Sequence, residues 1–216
     1  MENSERAAEG VSLDYYVEPN EILRGSRAYR THEKRDSMYR VATFLVQHFW
    51  NKPAEMADAL GVLLMTWNNA FYRYGMFDFE DLEHTLEDNM VQLNSVRKRD
   101  ITSFCRSDEE SLTALFNAFL DSLKVAEGKS TGRRSLVAVA KALHLLAPGF
   151  FPVWDVKISR KYGCNYTNNP SAAYLKFVGI SKSMVQTLQG KLEAGNSTHL
   201  KILDEYNYAK YTKGWI

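Results

Sequence analysis

The stretch Gly132–Gly163, GRRSLVAVAKALHLLAPGFFPVWDVKISRKYG, decides the fold that we predict for this 216-residue chain. Apolar residues recur every three or four positions over Ser135–Ala147, which is typical of a helix that faces a core. An aromatic connector follows, and Asp155 then stands where the N-cap of a second, basic helix belongs. That helix is expected to run to Tyr162, with Gly163 ending it.

The same spacing of three and four predicts helices along most of the chain. We expect them over about 37–50, 54–74, 77–90, from about 107 to 123, and near 171–178, 181–193 and 197–209. The alternation of apolar and polar residues that marks strands is nearly absent. The sequence therefore predicts an all-α fold, a single helical domain over 1–216. Within it we expect two helical lobes around a cleft, an acidic one over about 37–105 and a basic one over about 106–216.

The composition narrows the class of protein. The net charge is only +1, so overall charge does not indicate nucleic acid binding. Cys105 and Cys164 lie far apart, which argues against a zinc site or a disulfide framework and fits a reducing cytoplasm. The N-terminus is polar and acidic, unlike a signal peptide, and the longest mostly apolar run, Val41–Trp50, is too short for a membrane span. We expect a cytoplasmic protein, a monomer, with no membrane partner.

Familiar catalytic patterns are missing from the sequence. It contains no GxxxxGK[ST], GxGxxG, HExxH or GxSxG, and its five histidines are scattered without metal-ligand spacing. We therefore expect neither a metal ion nor an organic cofactor.

Charge is distributed unevenly along the chain. Residues 124–161 hold eight basic side chains against only Glu127 and Asp155, whereas residues 75–96 hold six acidic side chains and no Lys or Arg. The turn Gly128–Gly132 leads into a helix N-terminus, where unpaired amide groups and the helix dipole suit a phosphate oxygen. The basic stretch 24–40 is more simply explained as a solvated face. The residues predicted to bind DNA are Lys129, Ser130, Thr131, Gly132, Arg133, Arg134, Lys157 and Arg160.

The pattern Gly132-Arg133-Arg134-Ser135, an apolar helix, and then Pro152-Val153-Trp154-Asp155 followed by Ile158, Arg160 and Gly163 resembles the core of the helix-hairpin-helix DNA glycosylases. In that superfamily a G-R-x-[ST]-like turn leads into a helix, and a P-x-D segment about twenty residues later carries the catalytic aspartate. The resemblance covers about 35 residues and implies that Asp155 stabilises an oxocarbenium-like sugar and orients the attacking water. A capping carboxylate accepts amide bonds that favour its ionised form, as this role needs. The simpler alternative is that Asp155 is only a helix cap.

Three departures from the family pattern refine what the resemblance implies. Gly128 and Gly132 are four residues apart, so the hairpin glycines differ from the usual hxGxG. Arg134 best matches the lysine of the lyase-active members, and arginine cannot form a Schiff base because it stays protonated. Lys141 lies two helical turns further on, so no lyase role is assigned to it. The resemblance therefore implies a monofunctional glycosylase, without the Cys-ligated iron–sulfur loop of some members.

The segment LMTWNNAF (64–71), with 77–82 after it, looks like the region in which the family begins its base pocket. The predicted base-pocket residues are Trp67, Asn68, Asn69, Tyr72 and Trp154. Core packing is the alternative for Trp67, given its helical spacing. The predicted partner is double-stranded DNA with a damaged or modified base. The chain is also similar in character to antiviral-defence glycosylases that excise bulky modified pyrimidines of phage DNA, such as glucosylated hydroxymethylcytosine.

Two other functions remain open on the sequence. A non-catalytic helical DNA- or RNA-binding module would share the basic segment but would need no polar pocket beside Asp155. An adaptor protein would use the acidic helix around 78–88 as its working surface. The tail 206–215 alternates aromatics with lysines, so it either stacks on nucleic acid or packs back on the domain.

Overall fold

The chain folds almost entirely into helices. The computed structural model describes residues 15–165, 169–191 and 197–216, and within these ranges it confirms the all-α prediction. The α-helices are α1 (Pro19–His32), α2 (Asp36–His48), α3 (Pro53–Trp67), α4 (Asn69–Tyr72), α5 (Phe79–Asp88), α6 (Met90–Val96), α7 (Glu109–Ser122), α8 (Leu136–Leu146), α9 (Val156–Lys161), α10 (Pro170–Leu188) and α11 (His199–Asn207). Two 3₁₀ turns, Ile101–Ser103 and Arg106–Asp108, precede α7, and a π-helical segment, Tyr208–Lys213, continues α11. None of the described helices has the length and apolarity needed to cross a bilayer.

Helix α8 is the centre of the core. Every residue from Ala138 to Leu146 is buried, as expected for a helix that is apolar on nearly all sides. Ser135 caps it, because its Oγ accepts from the amide of Ala138 at 3.2 Å. Helices α2, α3 and α7 pack against α8, so the core is shared by elements from both halves of the chain.

Helix α1 packs along α11, which joins the beginning of the described chain to its end. Gly25 permits this close approach, since a Cβ there would lie 2.9 Å from the Cα of Tyr206. The tail packs back on the domain, one of its two predicted placements: Tyr206 is buried, and Trp215 lies against Tyr208 and His32. The α1–α11 pair thus brings distant parts of the sequence to one side of α8.

The predicted helix over 54–74 is wrong in its second half. Helix α3 ends at Trp67, Asn68 is not helical, and α4 is a separate single turn. Gly75 does not cap a helix; it lies in strand β1 (Gly75–Met76), which pairs antiparallel with β2 (Glu127–Gly128). A Cβ on Gly75 or on Gly128 would strike the backbone carbonyl of the facing strand, so this bridge requires both glycines.

Other helix boundaries also differ from the predictions. Helix α2 begins at Asp36, and Ser37 does not cap it. The helix predicted over 77–90 is divided at Asn89 into α5 and α6, and α7 begins only after the 3₁₀ turn at Arg106–Asp108. The helices predicted near 171–178 and 181–193 are one helix, α10, up to Leu188, and residues 192 and 193 lie outside the described ranges. Gly179 does not break α10, since a glycine costs a helix only about 1 kcal/mol and the residues on either side of it pack in the core.

Candidate active site

Asp155 caps α9, as the sequence predicts. Its backbone is extended, and its Oδ1 accepts from the amides of Lys157 at 2.8 Å and Ile158 at 2.9 Å. Its second oxygen, Oδ2, accepts from the hydroxyl of Thr212 in the π-helical segment. Three donors therefore stabilise the negative charge of a half-buried carboxylate, and they fix the direction in which it points.

A cavity of about 250 Å³ opens beside Asp155, between α1, the end of α3, α8, α9, α11 and the π-helical segment. This volume is slightly below the usual range for sites that hold small organic ligands, which begins at about 300 Å³. The residues that line the cavity are Tyr29, Glu33, Arg35, Trp67, Asn68, Val137, Lys141, Val153, Trp154, Asp155, Ile158, Asp204, Tyr208 and Thr212.

Three of the five predicted base-pocket residues line this cavity: Trp67, Asn68 and Trp154. Asn69 and Tyr72 lie outside it. Because the chain leaves the helical path at Asn68 and restarts as α4, Asn69 is exposed on the surface. Tyr72 is buried on another side, where its hydroxyl donates to the carbonyl of Leu123 at 2.8 Å.

The two cavity tryptophans have different environments. Trp154 is fully buried, 0% exposed, so it supports the wall and offers no open ring face. Trp67 is only partly buried; its indole N–H donates to the carbonyl of Arg35 at 2.9 Å, and its ring stacks on Tyr39 at 5.5 Å. Trp67 therefore packs against the core, which was the alternative to a base-pocket role, and it also faces the cavity.

Lys141 lines the cavity, although the sequence assigns it no catalytic role. Its Nζ donates to the carbonyl of Trp67 at 2.7 Å. Burial lowers the pKa of Lys141 to about 8, against the opposing effect of the Asp155 charge. Arg134, which takes the position of the family's lysine, is on the surface, where it pairs with Asp121 at 2.5 Å. The amine of the cavity thus comes from the middle of α8 and not from its N-terminus.

A second carboxyl, Asp204 on α11, also lines the cavity and is only 7% exposed. The nearest cation, Lys201 Nζ, is 3.8 Å from Asp204 Oδ2, and it also lies 3.6 Å from Asp36 and 3.5 Å from Glu205. Burial raises the pKa of Asp204 to about 7, although Lys201 opposes this shift. No sequence pattern distinguishes Asp204 from the other acidic residues of the chain.

A hydrogen-bonded triad of Glu33, Arg35 and Tyr208 forms another part of the wall. Arg35 makes two 3.0 Å hydrogen bonds to Glu33 and a 2.8 Å hydrogen bond to the hydroxyl of Tyr208, which donates to Glu33 at 2.9 Å. Burial alone would raise the pKa of Glu33, but the hydrogen bonds from Arg35 and Tyr208 outweigh it and lower that pKa to about 2. Glu33 and Arg35 come from the stretch 24–40, which the sequence explained more simply as a solvated face. Tyr208 comes from the tail, for which the sequence left two placements open.

The predicted phosphate-binding turn is exposed, but its amides are engaged within the fold. The N–H of Lys129 donates to Tyr74, that of Gly132 to Val125 at 2.7 Å, and that of Arg133 to Ser130 at 3.1 Å. The prediction of unpaired amides is therefore wrong for these three positions. What the turn presents to solvent is side-chain charge, from Lys129, Arg133 and Arg134.

The remaining predicted DNA-binding residues also lie on the surface. Thr131 is exposed and its hydroxyl donates to the carbonyl of Gly128, while Ser130 is half-buried. On α9, Lys157 donates to the carbonyl of Thr212 at 2.9 Å, and Arg160 is exposed. Lys157 thus holds the π-helical segment against α9 as well as presenting charge.

His144 is a core residue, as the sequence favoured for the scattered histidines. It is 1% exposed, and its two ring nitrogens contact the carbonyl of Phe151 at 2.7 Å and the hydroxyl of Tyr39 at 3.0 Å. Burial lowers its pKa to about 4. Across the described ranges, no group of three His, Cys, Asp or Glu side chains is arranged to hold a metal ion.

Comparison of the chain with protein-family models, with curated proteins and with solved structures found no match. The resemblance to helix-hairpin-helix glycosylases therefore depends on the residues of Gly132–Gly163 alone.

Proposed function

We propose that this protein is a monofunctional DNA glycosylase that hydrolyses the N-glycosidic bond of a damaged or modified base. One observation carries the proposal: Asp155, a carboxylate fixed by three donors, faces a cavity that Trp67 and Asn68 also line. A structural cap needs no such cavity. A pocket with a few converging polar groups is where a binding or active site is first expected, and here an oriented carboxylate is one of them.

The reaction requires the target nucleotide to leave the base stack, at a cost of a few kcal/mol. The extruded base would enter the cavity and lie against the open side of Trp67, with the amide of Asn68 within reach of its edge. As the bond from C1′ to the base nitrogen breaks, its electron pair leaves with the base. The sugar gains positive charge, which Asp155 stabilises until water adds to C1′. The products are a free base and an abasic site.

The protein contacts the DNA backbone through basic side chains on the exposed turn and on α9. Lys129, Arg133 and Arg160 present their charges to solvent, and contacts of this kind make DNA affinity fall steeply with salt. The acidic side chains of α5 would repel phosphate, which directs the duplex away from that face.

The substrate that we propose is duplex DNA carrying a bulky modified pyrimidine, such as glucosylated hydroxymethylcytosine of phage DNA, and the biological role is antiviral defence. The choice of substrate and role rests on the similarity in character to antiviral-defence glycosylases. It is tested by the choice of substrates and not by any single residue.

The decisive experiment incubates the protein with duplexes that carry different damaged or modified bases and then cleaves abasic sites with alkali. Asp155→Asn should keep the fold and DNA binding but abolish cleavage on every duplex that the wild type attacks. The matched control is Asp78→Asn, since Asp78 also caps a helix, accepting from Glu80 at 2.8 Å, but is remote from the cavity. Wild-type rates in the Asp155 variant, or binding without cleavage on any duplex, would instead favour a non-catalytic nucleic-acid-binding module.

A further inference from the structure

Of the three carboxyl groups that line the cavity, Asp155 and Asp204 have opposite surroundings. Asp155 accepts three hydrogen bonds, which favour its charge. For Asp204 no hydrogen bond to the carboxyl oxygens is found within the described part of the chain, and only 7% of the residue is exposed. A buried carboxyl without donors favours its neutral form, and a neutral carboxyl beside a charged one is the arrangement expected of an acid and its charged partner.

The charges around Asp204 act in both directions. Glu205 on its own helix and Asp155 on α9 disfavour its ionisation, while Lys201 on α11 and Lys141 on α8 favour it. Lys201 divides its charge among three carboxyls, Asp36 included, at 3.5 to 3.8 Å. Burial is the largest effect and leaves the pKa of Asp204 at about 7.

Two tyrosines on the other helices packed here contact Lys201, the cation beside Asp204. Tyr29 on α1 and Tyr39 on α2 both have their pKa raised, chiefly by burial and next by the charge of Asp204. Neither hydroxyl loses its proton near neutral pH. Among the groups near Asp204 whose pKa is shifted, Asp204 itself and Lys141 are the two whose pKa lies near neutrality.

We propose that Asp204 is the proton donor of this cavity, the general acid that protonates the leaving base. The inference rests on the proposed glycosylase function and adds a second catalytic residue to it. As the C1′–N bond breaks, its electron pair passes to the base, and the carboxyl proton of Asp204 transfers to a base nitrogen or oxygen. Water adds to C1′, and its released proton restores the acid, so that atoms and charge balance over the cycle.

General acid catalysis of this kind contributes roughly 10²–10⁴-fold to a rate. It also requires the carboxyl to be protonated, so the rate falls as the pH rises through the pKa of Asp204. Bases that leave easily need little help, whereas bases that leave poorly depend on the proton. The role therefore predicts a pH dependence and a leaving-group dependence, and a purely structural carboxyl predicts neither.

The experiment measures single-turnover base release from pH 5.5 to 9 on a duplex that the wild type cleaves. The wild-type rate should fall about tenfold per pH unit above neutrality, as expected for one essential proton. Asp204→Asn should lower the rate below pH 7 by at least about a hundredfold. It should also remove this fall of the rate above neutrality, the alkaline limb of the pH–rate profile. The matched control, Asp36→Asn, removes another carboxyl next to Lys201 but none that lines the cavity, and it should keep the wild-type limb.

Lys141→Met separates the two groups that titrate in this range. Lys141 favours the charged form of Asp204, so its removal should move the limb to higher pH if Asp204 carries it. Disappearance of the limb in Lys141→Met would assign it to the lysine and overturn the inference. This comparison remains decisive even if Asp204→Asn fails to fold.

Two duplex series complete the test. With bases of increasing leaving ability, the defect of Asp204→Asn should shrink toward wild type. An equal defect on all bases, or a wild-type rate and pH profile in Asp204→Asn, would show that Asp204 transfers no proton while leaving the glycosylase function intact. Absence of base release by the wild type on every duplex would refute the glycosylase and the proton donor together.

Discussion

Replacing Asp155 by serine and by alanine separates its two possible roles. Alanine removes the acceptor of two amide hydrogen bonds, at 2.8 and 2.9 Å, and of the hydroxyl of Thr212. Loss of an N-cap costs about 1 kcal/mol, with a range of about 0.5–2 kcal/mol. For a chain of this size, 1–2 kcal/mol corresponds to a fall in Tm of about 2–8 °C. Serine is as good an N-cap as aspartate, so Asp155→Ser should regain the cap's contribution of about 1 kcal/mol and lose only the hydrogen bond from Thr212.

The two variants should behave alike in catalysis, because neither has a carboxylate. Loss of an electrostatic group that acts on the transition state typically costs about 10²–10³ in rate, so base release should fall at least about a hundredfold in both. Thermal unfolding followed by circular dichroism gives the stabilities, and single-turnover cleavage of a duplex gives the rates. If serine restores both the Tm and base release, Asp155 is only a helix cap and the proposed mechanism is refuted.

Three further predictions concern the cavity wall and the DNA surface. The charged form of Glu33 adds stability above the ordinary pKa of 4.5, and this is lost as the pH falls toward about 2. Glu33→Gln should therefore destabilise by up to about 3 kcal/mol at pH 7 and by much less at pH 2, measured by denaturant unfolding; an equal loss at both would contradict the pKa shift. Borohydride added during turnover should trap no protein–DNA adduct, because the amine of Lys141 is held on the carbonyl of Trp67; an adduct lost in Lys141→Met would make the enzyme bifunctional. Arg133→Ala should reduce the slope of log affinity against log salt by about 1, in a fluorescence anisotropy titration, and an unchanged slope would remove Arg133 from the DNA contact.

The parts of the site that depend on short-range sequence could be predicted. Asp155 precedes a short helix and bonds to amides two and three residues away, so the local pattern is sufficient to place it. The cap at Ser135 and the central position of α8 follow equally from local pattern and apolar composition. Where the fold depends on these signals, sequence and structure agree.

The other half of the cavity depends on contacts that local pattern does not encode. Thr212 lies 57 residues from Asp155 in the sequence. Asp204 reaches the cavity because α11, which carries it, packs along α1. A lone aspartate in a helix has no sequence feature that distinguishes a buried position from a surface one. At Asn68 the local pattern is misleading. The helical spacing of the apolar residues continues through Asn68, although the backbone leaves the helix there, so the sequence did not indicate that Asn69 and Tyr72 lie in a separate turn.

The π-helical segment makes the alignment of Asp155 sensitive to chain length. Within Tyr208–Lys213 the hydrogen bonds close one residue later than in an α-helix, and the amide of Gly214 donates to the carbonyl of Ala209. Deleting one residue from this segment would convert its wide turn to an ordinary α-turn and leave Thr212 near its place, whereas inserting one residue before Thr212 would rotate its hydroxyl by about 100° around the helix axis. Asp204, which precedes the segment, would keep its place. A single-residue insertion there would thus separate Asp155 from the hydroxyl of Thr212 while leaving Asp204 untouched.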